Sequence, residues 1–95
     1  IKDLRRRLVE LQQCPCCDYF TLEERADWDI CPVCFWEDAG QDLDRLDDPS
    51  SCNHGITLRE GRENFARLGA YRREMLPHVC TIQERQQFRH EPRHP

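Results

Sequence analysis

Long apolar runs are missing from this chain: no stretch approaches the ~20 consecutive apolar residues that a membrane-spanning helix needs. No membrane role is expected, and with no secretory leader pattern the sequence points to the cytoplasm. Aromatic side chains are scarce at 8%, against 34% charged and 38% hydrophobic residues, so a core built from ninety-five residues has to be thin. A basic excess is absent too. The formal net charge of −4 weighs against general nucleic-acid binding, where a basic face supplies the affinity. Nor is there an even number of cysteines. Seven leave at least one unpaired in any intramolecular disulfide scheme, and nothing in the sequence indicates an oxidising compartment.

A small chain with so lean a core needs a staple, and the cysteine spacing offers one. Cys14-Pro15-Cys16-Cys17 and Cys31-Pro32-Val33-Cys34 are two copies of one unit, Cys-Pro-x-Cys, separated by thirteen residues. Two intervening residues let both sulfurs of a pair face one centre, while proline fixes φ in the turn and gives up an N–H that has no partner there. Cys14, Cys17, Cys31 and Cys34 therefore read as the tetrahedral ligands of one structural Zn2+. Iron, alone or in a cluster with sulfur, is the other metal that four thiolates suit. A thioredoxin-like redox pair would call for a βαβ context and a single Cys-x-x-Cys. Four protein thiolates close the coordination sphere and leave no position for water or substrate, so the expectation is a protein that is not an enzyme.

The fold expected is small α+β, a single domain over residues 1–95. Its centre is a zinc-ribbon β-hairpin over residues 14–34, within a ribbon segment 14–36. Asp18–Leu22 reads as one strand, 23–27 as the turn and Trp28–Ile30 as the return, with Leu22, Trp28, Ile30 and Tyr19 or Phe20 supplying apolar cover. An N-terminal helix is expected over residues 1–13 from the stripe Ile1, Leu4, Leu8 and Leu11, with Arg5, Arg6 and Arg7 on its solvated face. Residues 37–56 form an acidic loop, and residues 57–90 a helical part with two or three helices. Thr57 with Glu60 is a capping box that starts a helix at Leu58. Leu58, Phe65 and Leu68 mark its buried face, Arg59, Arg62, Glu63 and Arg67 its outer face, and Gly69 its end. Tyr71–His78 suggests a short helical turn broken before Pro77. Thr81 with Glu84 opens a last helix over Ile82–Phe88, and the tail from His90 onward is expected to fray.

Between residues 37 and 48 six acids meet one arginine. A solvated loop is the plain reading, and the regular alternation of a calcium loop is absent. Aromatic residues running straight into acids also suit an interface, which places the expected partner surface on Trp36, Glu37, Asp38, Asp42 and Asp44. Cys16 reads as a packed or half-exposed thiol. Cys52-x-His54 and His78-x-Cys80 could in principle hold a second metal, although i,i+2 spacing chelates poorly. The same pairs raise a Cys–His nucleophile, for which no orienting third residue is visible.

These residues resemble the bacterial cysteine-rich CPCC family, named for the motif that stands here as Cys14-Pro15-Cys16-Cys17. The likeness runs through Tyr19, Thr21-Leu22-Glu23-Glu24-Arg25, Ile30-Cys31-Pro32-Val33-Cys34-Phe35-Trp36-Glu37-Asp38, Gly40-Gln41, Asn53, Gly55-Ile56, Leu58-Arg59-Glu60, Arg62, Asn64-Phe65 and Gly69-Ala70, over roughly residues 14–80. The chain departs from it at Asp18 and Ala26, where members often carry glycine, at Ala39, which replaces a further acid, and at Gly61 inside the helix. Positive φ at the first two positions would sit uneasily with a side chain. The resemblance implies a small zinc-ribbon-like protein of the kind found beside toxins as an immunity partner. The function expected is thus a protein-binding module that neutralises a toxin with a basic cleft through its acidic surface. The alternative is a nucleic-acid-associated regulatory zinc ribbon using Arg5–Arg7 and the arginines of the C-terminal helices.

Overall fold

The computed structural model describes residues 10–95. Most of the expected N-terminal helix lies outside the described residues, and its last two residues are not helical: Gln12–Gln13 forms a strand, β1. β1 pairs antiparallel with β2 (Phe20–Leu22), Gln12 opposite Leu22 and Gln13 opposite Phe20, with a register shift between the two pairs. This corrects the expected hairpin. Phe20–Leu22 is a strand, but it turns back over the first cysteine pair to meet β1 instead of crossing to 28–30. The return segment pairs onward with the residues after the second cysteine pair, through an isolated bridge between Ile30 and Glu37. Trp28 N–H donates to the Asp38 carbonyl at 2.9 Å and Asp38 N–H to the Asp29 carbonyl at 2.9 Å. Each cysteine pair is therefore the tip of its own small hairpin. Trp28 and Ile30 are 61% and 46% exposed and give the core no cover.

Helix α1 (Leu58–Leu68) begins at the Thr57–Glu60 capping box, with both reciprocal bonds present, and ends at Gly69 with φ 93. A capped start of this kind stabilises a helix by about 1 kcal/mol. Leu58 is buried and Phe65 and Leu68 are partly so, as their spacing predicts. Arg62 departs from its expected place on the outer face and turns inward to Asp18. A 3-10 turn follows at Arg73–His78 and contains Pro77, so the proline does not end it. Helix α2 is shorter than expected, Ile82–Arg85, although its Thr81–Glu84 capping box is complete.

The C-terminal segments close over the cysteine hairpins. Tyr71 N–H donates to the Cys34 carbonyl and Cys80 N–H to the Pro32 carbonyl, both at 2.9 Å, which ties the chain after α1 to the second hairpin. The tail does the same for the first. Phe20 N–H donates to Arg89 O at 2.9 Å, Tyr19 bridges His90, and their rings stack with centroids 4.0 Å apart. The tail is thus docked and does not fray at His90, because an isolated antiparallel bridge to Tyr19 holds its backbone. Cys14, Cys16, Cys17, Leu22, Cys31, Val33, Cys34, Trp36, Leu58 and Tyr71 form the core, so sulfur occupies much of the space that aliphatic side chains fill elsewhere.

Candidate metal centre

The two cysteine hairpins are built alike, residue for residue. Cys14 N–H donates to Tyr19 O and Asp18 N–H to Cys14 O; seventeen positions later Cys31 N–H donates to Trp36 O and Phe35 N–H to Cys31 O. The residue closing each turn, Asp18 or Phe35, is left-handed with φ 67 or 70. This conformation curls the backbone so that amides face the sulfurs: Val33 N–H lies 3.4 Å from Cys31 Sγ and Trp36 N–H 3.5 Å from Cys34 Sγ. Thr21, on β2, adds a hydroxyl donor to Cys31 Sγ at 3.0 Å.

Cys14, Cys17, Cys31 and Cys34 are all buried, and their four sulfurs lie within 4.8 Å of one another. Cys14 Sγ is 3.6 Å from Cys34 Sγ, and Cys17 Sγ is 3.7 Å from Cys31 Sγ. A tetrahedron with metal–sulfur bonds of about 2.3 Å has edges of about 3.8 Å, so this cage suits one metal ion. The separations exceed the roughly 2.05 Å of a disulfide, and all seven cysteines are free thiols. Burial pushes the Cys14, Cys17 and Cys34 thiols above their ordinary range. Burial acts on Cys31 in the same sense, but hydrogen bonds from Cys14, Cys17, Cys34 and Thr21 outweigh it and hold that thiol well below. Four buried sulfurs do not ionise together unless a cation balances them.

The remaining candidates separate. Among the described residues the four-cysteine cage is the one group of three or more Cys, His, Asp or Glu side chains placed to hold an ion. Cys52 meets the Ser50 hydroxyl and the Glu37 carbonyl, and His78 stacks on Phe35 with centroids 5.2 Å apart, so these pairs do not assemble a second site. Cys16 is packed, 2% exposed, beneath α1.

The partner surface placed on Trp36, Glu37, Asp38, Asp42 and Asp44 needs correction. Trp36 is 1% exposed and meets Tyr71 edge-on in the core. Asp38 is fully buried and accepts from Arg25 Nε at 2.7 Å, Ala26 N–H at 2.9 Å and Gly40 N–H at 3.0 Å. A carboxylate of this kind, saturated by donors, fixes the turn 23–29 and has nothing left to offer a partner. Asp42 is half-buried and bridges Arg25 and Arg93. Glu37 is partly exposed and Asp44 exposed. Asn53, buried, grips the Glu37 backbone from both sides, its amide donating to Glu37 O at 2.9 Å and accepting from Glu37 N–H at 2.8 Å.

Sequence reasoning missed the clasp on the first hairpin. Asp18, 4% exposed, receives Arg62 Nη1 at 2.8 Å and Nη2 at 2.9 Å, together with Arg93 N–H at 2.7 Å and Nε at 2.9 Å. Burial works to raise the Asp18 carboxyl, but the Arg62 and Arg93 hydrogen bonds bring it below its usual value. The available signal was weak: an aspartate where the family resemblance leads one to expect glycine marks a left-handed corner but does not name Arg62 or Arg93 as its partners.

The family described as Cysteine-rich CPCC has a model that matches residues 12–86. No curated protein and no solved structure matches the chain.

Proposed function

The chain belongs to the cysteine-rich CPCC family, and from that membership together with its closed cage we propose that it is a non-enzymatic, zinc-stabilised protein-binding module. The observation that carries the reading is the burial of all four sulfurs. An ion held by them has no open position, so it braces the fold and does not act on a substrate. Zinc is the ion we assign, because it is redox-inert and takes four thiolates tetrahedrally. The working compartment we assign is the cytoplasm, where thiols stay reduced. No helix among the described residues is long and apolar enough to cross a membrane.

The partner we propose is a toxin with a basic cleft, which the chain neutralises as an immunity protein. Its net charge of −4 supports this, because an acidic binder is steered to a basic site. Six of the ten described arginines, Arg25, Arg59, Arg62, Arg72, Arg89 and Arg93, sit on carboxylates, which weakens the nucleic-acid reading; Arg45, Arg67, Arg73 and Arg85 form no ion pair among the described residues. Elemental analysis of the purified chain tests the ion, with one equivalent of zinc expected. Affinity retrieval with the metal-loaded protein tests the partner, the expected result being a stoichiometric protein whose toxicity to cells this chain cancels. A partner harmless by itself removes the immunity role; no partner at all removes protein binding.

A further inference from the structure

A groove of about 350 Å3 lies against the cysteine hairpins, with Leu11, Ile30, Pro32 and Phe88 forming its apolar lining and Glu23 and Asp29 its acidic residues. Its wall is continuous with the cage, since Thr21, whose hydroxyl bonds Cys31 Sγ, also faces it. The adjoining turn puts further apolar surface into water: Ile30 is 46% and Trp28 61% exposed. Trp28 is held left-handed at φ 63, a conformation bulky residues avoid, and its N–H is locked to the Asp38 carbonyl at 2.9 Å. A strained backbone therefore keeps a large indole at the surface, although the thin core could have used it.

Among the described residues that line the groove, the charged ones, Glu23 and Asp29, are both acidic. Arg25, the one cation of residues 23–30, is drawn away onto Asp38 and Asp42. Glu23, Glu24 and Asp27 are left exposed and Asp29 partly so, and none of the four is ion-paired among the described residues. We propose that this groove and its acidic lip dock a protein segment in which a lysine or arginine lies beside a bulky aliphatic or aromatic side chain. The apolar side chain fills the lining, the cation meets Glu23 and Asp29, and Trp28 offers a ring face to a guanidinium. Anionic partners such as nucleic acid or acidic lipid are repelled by the same lip. The inference rests on the protein-binding reading and moves its contact from residues 36–44 to residues 23–30.

The test is an NMR titration of the full-length, zinc-loaded protein with a short synthetic peptide of alternating arginine and leucine. Saturable shifts are expected at Thr21, Glu23, Ile30 and Phe88. The double variant Glu23→Gln/Asp29→Asn, and separately Ile30→Ser, should weaken binding by about tenfold, as loss of central contacts does. Asp44→Asn/Asp48→Asn, which removes equal charge from exposed positions elsewhere, should leave affinity within about twofold. Equal loss in both double variants, shifts centred on another face, or binding only after residues 1–9 are deleted would each overturn the proposal; the last assigns the groove to the chain's own first residues. Zinc content and circular dichroism of every variant, matched to the parent, separate binding from folding. A retrieved protein partner that ignores Glu23→Gln/Asp29→Asn but responds to Asp44→Asn/Asp48→Asn overturns this surface and leaves the protein-binding reading standing.

Discussion

Gly61 sits inside α1, where alanine ordinarily makes a helix about 1 kcal/mol more stable. Here a Cβ would lie 3.0 Å from Trp36 Cζ3, 3.2 Å from Trp36 Cε3 and 3.4 Å from Cys16 Sγ. Overpacking of that kind costs about 1–3 kcal/mol, so Gly61→Ala should lower stability in denaturant unfolding despite the gain in helix propensity. The loss should shrink in a Trp36→Leu background, because the two residues share one contact. Ala26 poses the opposite case. It adopts φ 61 with no side-chain reason to do so, and Ala26→Gly should stabilise the protein by up to about 1 kcal/mol in the same measurement. Asp18 and Ala26 were readable in advance as positions that wanted glycine, and both proved left-handed. Trp36 was not readable, because an aromatic residue followed by acids looks the same from the sequence whether its ring faces solvent or core. Only the glycine in α1 hinted at a large side chain beneath the helix.

At the scale of elements, the capping boxes announced where α1 and α2 begin, since that signal is local and two-sided. Strand pairing was less legible. Thirteen residues between cysteine pairs accommodate one hairpin spanning them or one hairpin at each pair, and spacing alone does not choose. The left-handed corners at Asp18 and Phe35 choose the second, by reversing the chain within each pair. The docked tail was hidden for a related reason: extended backbone held by an isolated bridge carries no periodicity of its own. Its anchor is measurable. Arg93→Ala removes donors from both Asp18 and Asp42 and should make metal release to a chelator faster while leaving metal stoichiometry unchanged. The Asp42 carboxyl gives a pH signature. Partial burial works to raise its pKa, but hydrogen bonds from Arg25 and the Leu43 N–H, with the charges of Arg25 and Arg93, bring it below its ordinary value. Its contribution to stability is therefore complete above its unfolded value and lost as pH falls through the lower folded one. Asp42→Asn should lower stability at neutral pH and flatten the acid end of the profile below about pH 4.

For the whole molecule, the four-cysteine cage was the most legible feature, because chelation depends on spacing along the chain and needs no knowledge of the rest. Its weight follows from composition. Few aliphatic side chains are buried, whereas five cysteines are. A structural zinc supplies on the order of 10 kcal/mol of folding free energy, comparable with the whole stability of a domain this size. Exhaustive chelation should abolish cooperative unfolding and the near-ultraviolet dichroism of Trp36, and added zinc should restore both. A chain that keeps its melting point without metal would contradict this account.

Arg93 lies seventy-five residues downstream of the aspartate it clasps. During synthesis both cysteine pairs leave the ribosome well before that arginine is made. A nascent chain can thus capture its ion early, in a cage still bare along one flank, and lock it only once Arg93 has emerged. Translation paused before Arg93 emerges should hold the chain at that bare stage, where a captured ion exchanges fastest with a chelator.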